Sequence, residues 1–285
     1  MHTIGPHTSI AGGLHKAAEE AARLGANGFG MFSKNQRQWR AKPISEEEAL
    51  RFRETMAELG FEDGSVLVHD SYLINLANAD QEKWEKALDG FIDEIRRIET
   101  LGLKLLNFHP GAHLGLLESE AACRRVAEAL DRAIEETEYA RLVIENTSGA
   151  GTTLGSTFEE IALIISSSRF PDRIGCCIDT CHAHTAGYDL STIDGFEAAI
   201  ARFDSLVGLD KLWGMHLNDA KSSAGSHLDR HASLGAGTIG WETFDHIAGD
   251  GRFASIPLVL ETIDESLWEA EVARLRWGRD GERAL

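Results

Sequence analysis

The stretch Leu105-Leu106-Asn107-Phe108-His109 decides the fold of this chain. It is a short, mostly apolar run that suits a buried β-strand, and an imidazole follows its last apolar residue. The pattern recurs along the chain and predicts eight strands: Thr3–Ser9, Gly28–Ser33, Val66–His69, Lys104–His109, Leu142–Glu145, Gly175–Asp179, Leu212–His216 and Pro257–Glu261. Because helical patterns separate these runs, we predict an α/β protein with a single (β/α)8 TIM-barrel domain over residues 1–285.

The segments between the strands have apolar residues at helical spacing. Helices are predicted over Leu14–Leu24, Ser45–Leu59 and Trp84–Ile98, and others start near Glu120, Phe158, Phe196, Trp241 and Leu267. Some helix starts carry a capping box, in which Ser or Thr is followed three residues later by Glu: Ser45/Glu48, Thr157/Glu160 and Ser266/Glu269. The sequence has no linker rich in Pro, Gly or Ser, which supports a single barrel.

Composition limits the function classes. The formal net charge of −18 over 285 residues argues, taken alone, against a nucleic-acid partner. The segment Lys34–Lys42 is an exception, because it has four basic residues and no acid. There is neither a membrane-length apolar run nor a signal-type N-terminus, and the four cysteines have no framework spacing. A cytoplasmic protein with reduced thiols is therefore expected.

Nine side chains that favour metal ions lie at the predicted strand ends or in the loops just beyond them: His69, His109, Glu145, Asp179, His182, His216, Asp229, His231 and Glu261. The carboxyl ends of barrel strands meet at one rim, so these imidazoles and carboxylates would repel and desolvate one another without cations between them. One zinc ion usually takes four ligands. The sequence therefore predicts a cluster of two or three ions at the C-terminal rim, with one bridging carboxylate.

Other metal-capable residues have a weaker pattern. A lone histidine at a strand end more often has a structural role, and His7 stays unassigned on that ground. The histidines off the strand ends are predicted to be loop residues or partners of ligands: His113, His184 and His227. Cys177 and Cys181 flank Asp179, but no Cys-x-x-Cys pair accompanies them, so packing beneath the site is the predicted role.

The loops after strands two and three carry cations and aromatic residues. Arg37, Trp39 and Arg40 follow strand two, and Tyr72 and Leu73 follow strand three. Arginine and an aromatic ring beside a metal site suit contact with phosphates and stacking on bases. The alternative is that Trp39 and Leu73 belong to the core and that the charges are merely solvated.

Together these motifs resemble the endonuclease IV family of DNA-repair enzymes. The similarity runs from about Ile4 to about Trp268 and rests on the following stretches: Lys34–Trp39, His69–Leu76, Asn107–Gly111, Ile144–Thr147, Ile178–His182, Gly214–Asp219 and Asp229–His231. All nine metal positions are filled. Ala236 stands in a glycine turn where the resemblance leads us to expect an acid, which puts local loop contacts in doubt.

The resemblance implies a trinuclear zinc enzyme that hydrolyses the DNA backbone on the 5′ side of an abasic site. It implies 3′-hydroxyl and 5′-deoxyribose phosphate products, trimming of blocked 3′ ends, and attack by a metal-held hydroxide. Glu145 would bridge two ions, and Glu261 would orient the nucleophile. The implied ligand sets are His69, His109 and Glu145 for the first zinc, Glu145, Asp179, His216 and Glu261 for the second, and His182, Asp229 and His231 for the third, with Mn²⁺ as an alternative at one position.

The resemblance also implies a device for recognising damage. Arg37, Tyr72 and Leu73 would enter the minor groove and fill the gap left by the missing base, with bending of the DNA. An abasic nucleotide has lost stacking and pairing, so extruding it requires less free energy than extruding an intact one. The expected partner is damaged duplex DNA, and the expected protein is a monomer without membrane contact.

Two other functions fit part of the pattern. A metal-dependent sugar isomerase or epimerase would use Glu145, Asp179, His216 and Glu261 with one or two ions, which leaves the other five positions unexplained. A non-catalytic binder of damaged DNA, or a zinc store, would keep the ligands without cleaving a strand. About three zinc ions per chain would favour the nuclease over the isomerase, and strand cleavage would exclude the binder.

Overall fold

The computed structural model describes residues 2–278 and confirms the predicted barrel. Its strands are β1 (Thr3–Pro6), β2 (Phe29–Phe32), β3 (Val66–His69), β4 (Leu105–Phe108), β5 (Arg141–Glu145), β6 (Ile174–Asp179), β7 (Leu212–Leu217), β8 (Asp219–Ala220), β9 (His231–Ala232) and β10 (Pro257–Leu260). Eight of them form one parallel sheet in the order β1-β10-β7-β6-β5-β4-β3-β2, and β8 and β9 form an antiparallel ladder. The predicted domain spans residues 1–285, and both of its predicted ends, at Met1 and within 279–285, lie outside the described residues.

The barrel closes between β1 and β2, where the two strands come very near each other. The backbone N–H of Thr8 donates to the carbonyl of Gly30 at 2.8 Å, and that of Asn27 donates to Ile4 at 3.1 Å. A Cβ at Gly5 would lie only 1.8 Å from the carbonyl oxygen of Gly28. Glycine at position 5 therefore permits the approach of the strands that completes the ring.

Nine α-helices lie within residues 2–278: α1 (His15–Arg23), α2 (Glu46–Leu59), α3 (Gln81–Leu101), α4 (Ser119–Glu135), α5 (Phe158–Ser167), α6 (Thr180–Ala186), α7 (Ile193–Leu206), α8 (Trp241–Gly249) and α9 (Trp268–Trp277). The hydroxyls of Ser45 and Thr157 cap α2 and α5, as predicted. The predicted cap at Ser266 is wrong. Its hydroxyl and its backbone N–H both donate to the Asp264 carboxylate, which caps a 3-10 turn ahead of α9.

Helix α6 differs from the loop that was expected after Asp179. Asp179 is the last residue of β6. Its carboxylate caps α6 by accepting the backbone N–H of His182 at 2.7 Å. The helix has only seven residues. A segment of that length is too short for a helical period to be distinguished from a loop in the sequence.

The barrel is filled by apolar side chains. The partly buried Trp213 packs against one buried cluster inside the ring of strands. The members of this cluster are Leu67, Leu105, Val143, Cys177 and Val259. A larger cluster lies between strands and helices and includes fully buried rings such as Phe108 and Phe91. Each such side chain contributes about 1.5–3 kcal/mol through burial. Between residues 2 and 278, no helix is both long and apolar enough to cross a bilayer.

Candidate metal centre

The structure brings the nine predicted side chains together at the carboxyl-terminal rim of the barrel. They fall into groups whose nitrogen and oxygen atoms lie within 4.8 Å of one another. The first group is His69, His109 and Glu145; the middle group is Glu145, Asp179, His216 and Glu261; the third group is His182, Asp229 and His231. This grouping has the same membership as the three sets implied by the resemblance. Whether each side chain binds a metal stays a prediction.

Glu145 joins the first group to the middle group. Its Oε1 lies 3.4 Å from Nε2 of His109, and its Oε2 lies 3.4 Å from Nε2 of His69. Oε2 is also 3.2 Å from Nδ1 of His216. The carboxylate is fully buried as the last residue of β5. Its two oxygens therefore face both groups, which is the arrangement that a bridging ligand requires.

The middle group depends on the register of β6, β7 and β10. Asp179 is paired with His216, and His216 is paired with Val259, two residues before Glu261. Nδ1 of His216 lies 3.2 Å from Oε2 of Glu261. Adjacent parallel strands thus present their terminal side chains to one point, because side chains in register share a face.

The third group is more open than the other two. Nε2 of His182 lies 3.2 Å from Oδ2 of Asp229, and Nε2 of His231 lies 3.2 Å from Oδ1 of the same carboxylate. The Asp229 side chain is 47% exposed. An ion in this group would therefore be the most accessible from solvent.

Three imidazoles have a common hydrogen-bond arrangement. Each directs Nδ1 to a backbone carbonyl and Nε2 to a ligand group, at Nδ1–O distances of 2.9, 3.0 and 3.4 Å: His69 to Asp70, His182 to Asn146, and His231 to Glu261. An Nδ1–H donor leaves the Nε2 lone pair free. Metal-binding histidines in proteins are commonly oriented in this way.

Several buried atoms of the site lack a hydrogen-bond partner within residues 2–278. They are Oε1 of Glu145, Nδ1 of His216 and Nε2 of His231. These atoms lie close to other polar atoms without forming hydrogen bonds, and an unsatisfied buried polar group is unfavourable by about 1–3 kcal/mol. Divalent cations such as Zn²⁺ bind imidazole nitrogen and carboxylate oxygen. The donor set therefore fits metal ions.

The pKa shifts of the site also indicate that its donor set fits cations. Burial would raise the pKa of Glu145, but the imidazoles of His216 and His109 outweigh burial and hold that pKa well below its usual range. Burial likewise opposes protonation of His231, yet Asp229 raises the pKa of this imidazole to about 9. His231 and Asp229 are thus paired as imidazolium and carboxylate, and a cation would take the place of the proton.

Asparagines that we did not single out in the sequence hold the carboxylates. The Asn107 amide donates to Oε2 of Glu145, and the Asn218 amide donates to Oδ2 of Asp179 at 2.6 Å. The backbone N–H of Asp179 also donates to Oδ1 of Asn146 at 2.6 Å. Asn107 could have been found, because a polar residue inside an apolar strand run requires a buried partner.

A buried aspartate holds the turn that follows β9 and His231, and we did not single it out either. Asp219 accepts backbone N–H groups at 2.8–3.2 Å from the following residues: Ala220, Gly235, Gly237, Ile239 and Gly240. The predicted tight turn before α8 is present, with positive φ at Gly235 and Gly240. The backbone N–H groups of the turn therefore converge on one buried carboxylate, that of Asp219.

The remaining candidates lie outside the three groups. Among residues 2–278, no ligand group contains the histidines predicted as loop residues: His113, His184 and His227. Cys177 belongs to the cluster inside the barrel. Cys181 lies near Asp179 and His231, but burial raises the pKa of its thiol to about 12, which disfavours the thiolate that metals bind.

Of the loop residues proposed for DNA contact, Tyr72 lies at the edge of the site. The Tyr72 ring is 59% exposed and 5.4 Å from the ring of His69. Arg37 is exposed and Leu73 is half-buried. Trp39 packs partly against the core, as the alternative interpretation held for it.

The basic loop has less available charge than its composition indicates. Lys34 is only 2% exposed, and its ammonium lies 2.7 Å from Asp93 and 3.3 Å from Glu94. The Lys34 charge is therefore neutralised inside the protein and anchors the loop to α3. Arg37 and Arg40 remain exposed at its surface.

Comparison with known proteins supports the assignment of fold and family. Residues 18–279 match the family described as xylose isomerase-like TIM barrel. Endonuclease IV from Thermus thermophilus is 33% identical, with 98% of each chain covered and a TM-score of 0.84. The 3-keto-D-glucoside 4-epimerase from E. coli is 13% identical, covers 97% of this chain and 99% of its own, and has a TM-score of 0.68. D-psicose 3-epimerase from Clostridium cellulolyticum is 15% identical, with 98% of each chain covered and a TM-score of 0.70.

The two kinds of match establish different things. The epimerases share the fold alone, because their identity to this chain is only 13% and 15%. The similarity to the Thermus protein extends over almost the whole of both chains at 33% identity. The chain therefore belongs to the endonuclease IV family, within the xylose isomerase-like TIM barrels.

Proposed function

We propose that this protein is an apurinic/apyrimidinic endonuclease that hydrolyses the phosphodiester on the 5′ side of an abasic site in duplex DNA. It would leave a 3′-hydroxyl and a 5′-deoxyribose phosphate, and it would also trim blocked 3′ ends. The observation that carries this proposal is the set of three ligand groups at one open rim, two of them sharing Glu145. The 33% identity to an endonuclease IV supports it.

The residues have distinct proposed roles. The first group, the middle group and the third group would each hold one zinc ion, with Glu145 shared between the first and the middle ion. Zinc ions supply positive charge for phosphate oxygens and favour ionisation of water near neutral pH. Glu261 lies at the rim, with its side chain partly exposed, and would orient the attacking water. Asp229 is the most exposed of the four carboxylates in the three groups and would face the side from which a phosphate enters.

An acidic protein can act on DNA if positive charge is concentrated where the phosphates lie. The net charge is −18, but three divalent cations at the rim would reverse the local field. The exposed Arg37 and Arg40 lie on a loop that leaves the same rim. Recognition of the lesion is assigned to Arg37, Tyr72 and Leu73, which would occupy the gap beside an extruded abasic nucleotide.

The direct test combines incision with a metal count. Purified protein is incubated with a duplex that has one abasic site, with and without prolonged chelation, and zinc per chain is measured by elemental analysis. We expect about three zinc ions per chain and a single cut beside the lesion, both lost on chelation and restored by Zn²⁺. The control is the same duplex with an intact nucleotide at that position, which should stay uncut.

The sugar epimerases with this fold define the contrary outcome. An epimerase would use one or two ions and would leave His69, His109, His182, Asp229 and His231 without a function. One ion per chain, intact DNA and epimerisation of a free ketose would contradict the proposal. Tight binding of abasic DNA without cleavage by the fully loaded protein would instead identify a non-catalytic binder.

Tyr72→Ala is expected to weaken binding to an abasic duplex by about 10-fold or more, since stacking of one ring contributes about 1–3 kcal/mol. The zinc content should not change, because Tyr72 touches the His69 ring without belonging to a ligand group within residues 2–278. Fluorescence anisotropy gives the affinity, and elemental analysis gives the zinc content. Tyr139→Ala is the matched control, because Tyr139 is also exposed but its hydroxyl donates to Glu99, away from the rim. Equal losses of zinc and of affinity would show that Tyr72 supports the metal centre instead.

A further inference from the structure

His7 lies beside the candidate metal centre, although it belongs to none of the ligand groups found within residues 2–278. It directly follows β1, and its backbone N–H donates to the carbonyl of Leu260 at 2.7 Å. It also forms a bridge to Gly30 of β2. The backbone of His7 is therefore held by both neighbouring strands, next to the strand end that carries Glu261.

The side chain of His7 is held by a hydrogen bond and by ring packing. Its Nδ1 lies 2.8 Å from Oε1 of Glu261 and is the donor, because an ionised carboxylate only accepts. The ring is 11% exposed and packs on Phe32 with 4.6 Å between centroids. Gly30 leaves the required space, since a Cβ there would lie 3.2 Å from Cγ of His7 and 2.7 Å from a methyl group of Val259.

The two oxygens of Glu261 have different neighbours. Oε1 faces His7, whereas Oε2 lies 3.2 Å from Nδ1 of His216 in the middle group. The terminal torsion of a glutamate is broad, so a carboxylate without a fixed partner samples many orientations. The hydrogen bond to one oxygen therefore decides which oxygen the middle group receives.

We propose that His7 is a positioning residue for Glu261, which holds Oε1 so that Oε2 is presented to the middle group. The part of this inference that concerns incision rests on the proposed nuclease function, whereas the part that concerns metal affinity does not. Partners that orient ligating side chains typically contribute 10–100-fold in metal affinity or activity. His7 acts through Glu261, so its effect should appear at one ion and in turnover.

The experiment compares two substitutions at His7 with a matched control. His7→Phe keeps a planar ring against Phe32 but removes the donor, and His7→Asn restores an N–H donor near the position of Nδ1. The control is His246→Phe, because Nε2 of His246 lies 2.7 Å from Glu197 and its ring lies 5.8 Å from that of Phe196. The control thus removes a similar histidine–glutamate pair that joins α8 to α7. The group that His246 forms with Glu197 and Asp250 is separate from the three groups of the metal centre.

The measurements separate a positioning role from a structural one. Metal-free protein is titrated with Zn²⁺ against a chromophoric chelator, and incision of an abasic duplex gives kcat and KM. For His7→Phe we expect one of the bound ions to be held about 10–100-fold more weakly and kcat to fall by a similar factor. KM should stay within about threefold, because DNA contacts are unaffected. His7→Asn should recover most of both losses, and His246→Phe should match the wild type.

Two results would overturn the inference. One is unchanged zinc affinity at every ion in His7→Phe. The other is an equal loss in His7→Asn and His7→Phe together with a lower melting temperature of both metal-free proteins, which would identify a structural role. If wild-type protein binds three ions but does not cut DNA, the nuclease proposal fails while the zinc titration still decides the role of His7.

Discussion

Glu145→Gln is expected to abolish incision of abasic DNA and to lower the zinc content to one ion per chain or fewer. The reason is geometric, because the two oxygens of Glu145 face imidazoles of both the first and the middle group. An amide has one acceptor oxygen and no negative charge, so neither group keeps its shared anionic ligand. Loss of several kcal/mol of transition-state stabilisation corresponds to a decrease in kcat/KM of about 10³-fold or more.

The measurements for Glu145→Gln are elemental analysis and incision kinetics on one protein preparation. Glu99→Gln is a suitable control, because Oε1 of Glu99 accepts three backbone N–H groups on the outside of the barrel. We expect the control to match the wild type in zinc content and in kcat/KM. A Glu145→Gln protein that retains three ions and cuts within about tenfold of the wild-type rate would contradict the bridging role.

Asp219→Ala is expected to destabilise the protein by about 3 kcal/mol or more and to release the third ion. Asp219 is fully buried and accepts five backbone N–H groups, most of them from the turn at Gly235–Gly240. Leaving buried donors unpaired is unfavourable by about 1–3 kcal/mol each, although partial relaxation reduces the sum. The ladder that pairs Asp219 with Ala232 also places His231, so the third group loses its support.

Urea unfolding of the metal-free protein and zinc content of the loaded protein test this expectation. In the metal-free protein, the difference in the free energy of unfolding reports on the turn alone, because no bound ion adds to the stability. Asp194→Ala is the control, because Asp194 is an exposed residue in the first turn of α7 and should change the free energy of unfolding by less than about 1 kcal/mol. An Asp219→Ala protein with wild-type stability and three ions would show that the turn forms without this carboxylate.

The sequence predicted the barrel and the membership of the site because both depend on local patterns. Each of the eight barrel strands was located within a few residues, since a short apolar run bounded by turns marks a buried strand. Parallel strands in a barrel have their carboxyl ends at one rim. Side chains at the strand ends, such as His69, Glu145 and Asp179, could therefore be placed together before any contact was known.

Sequence patterns were less informative where a single side-chain contact decides the local structure or the available charge. The cap predicted at Ser266 is wrong because Asp264 accepts its hydrogen bonds. Helix α6 replaces the expected loop because the Asp179 carboxylate caps its first turn. Lys34 belongs to the basic segment that the sequence analysis singled out, but its ammonium is buried against Asp93 and Glu94 of α3. In each case one side-chain hydrogen bond or ion pair decided the outcome, and the sequence pattern does not show which partner that side chain has.

By itself, the sequence determined the barrel topology and which residue types stand at each strand end, because these follow from hydrophobic period and chain order. Only the tertiary structure decided which side chains hold the carboxylates in place. Asn107 meets Glu145 across 38 residues, Asn218 meets Asp179 across 39, and His7 meets Glu261 across 254. Such pairings arise from the register and curvature of the closed barrel, and no periodicity along one chain encodes them.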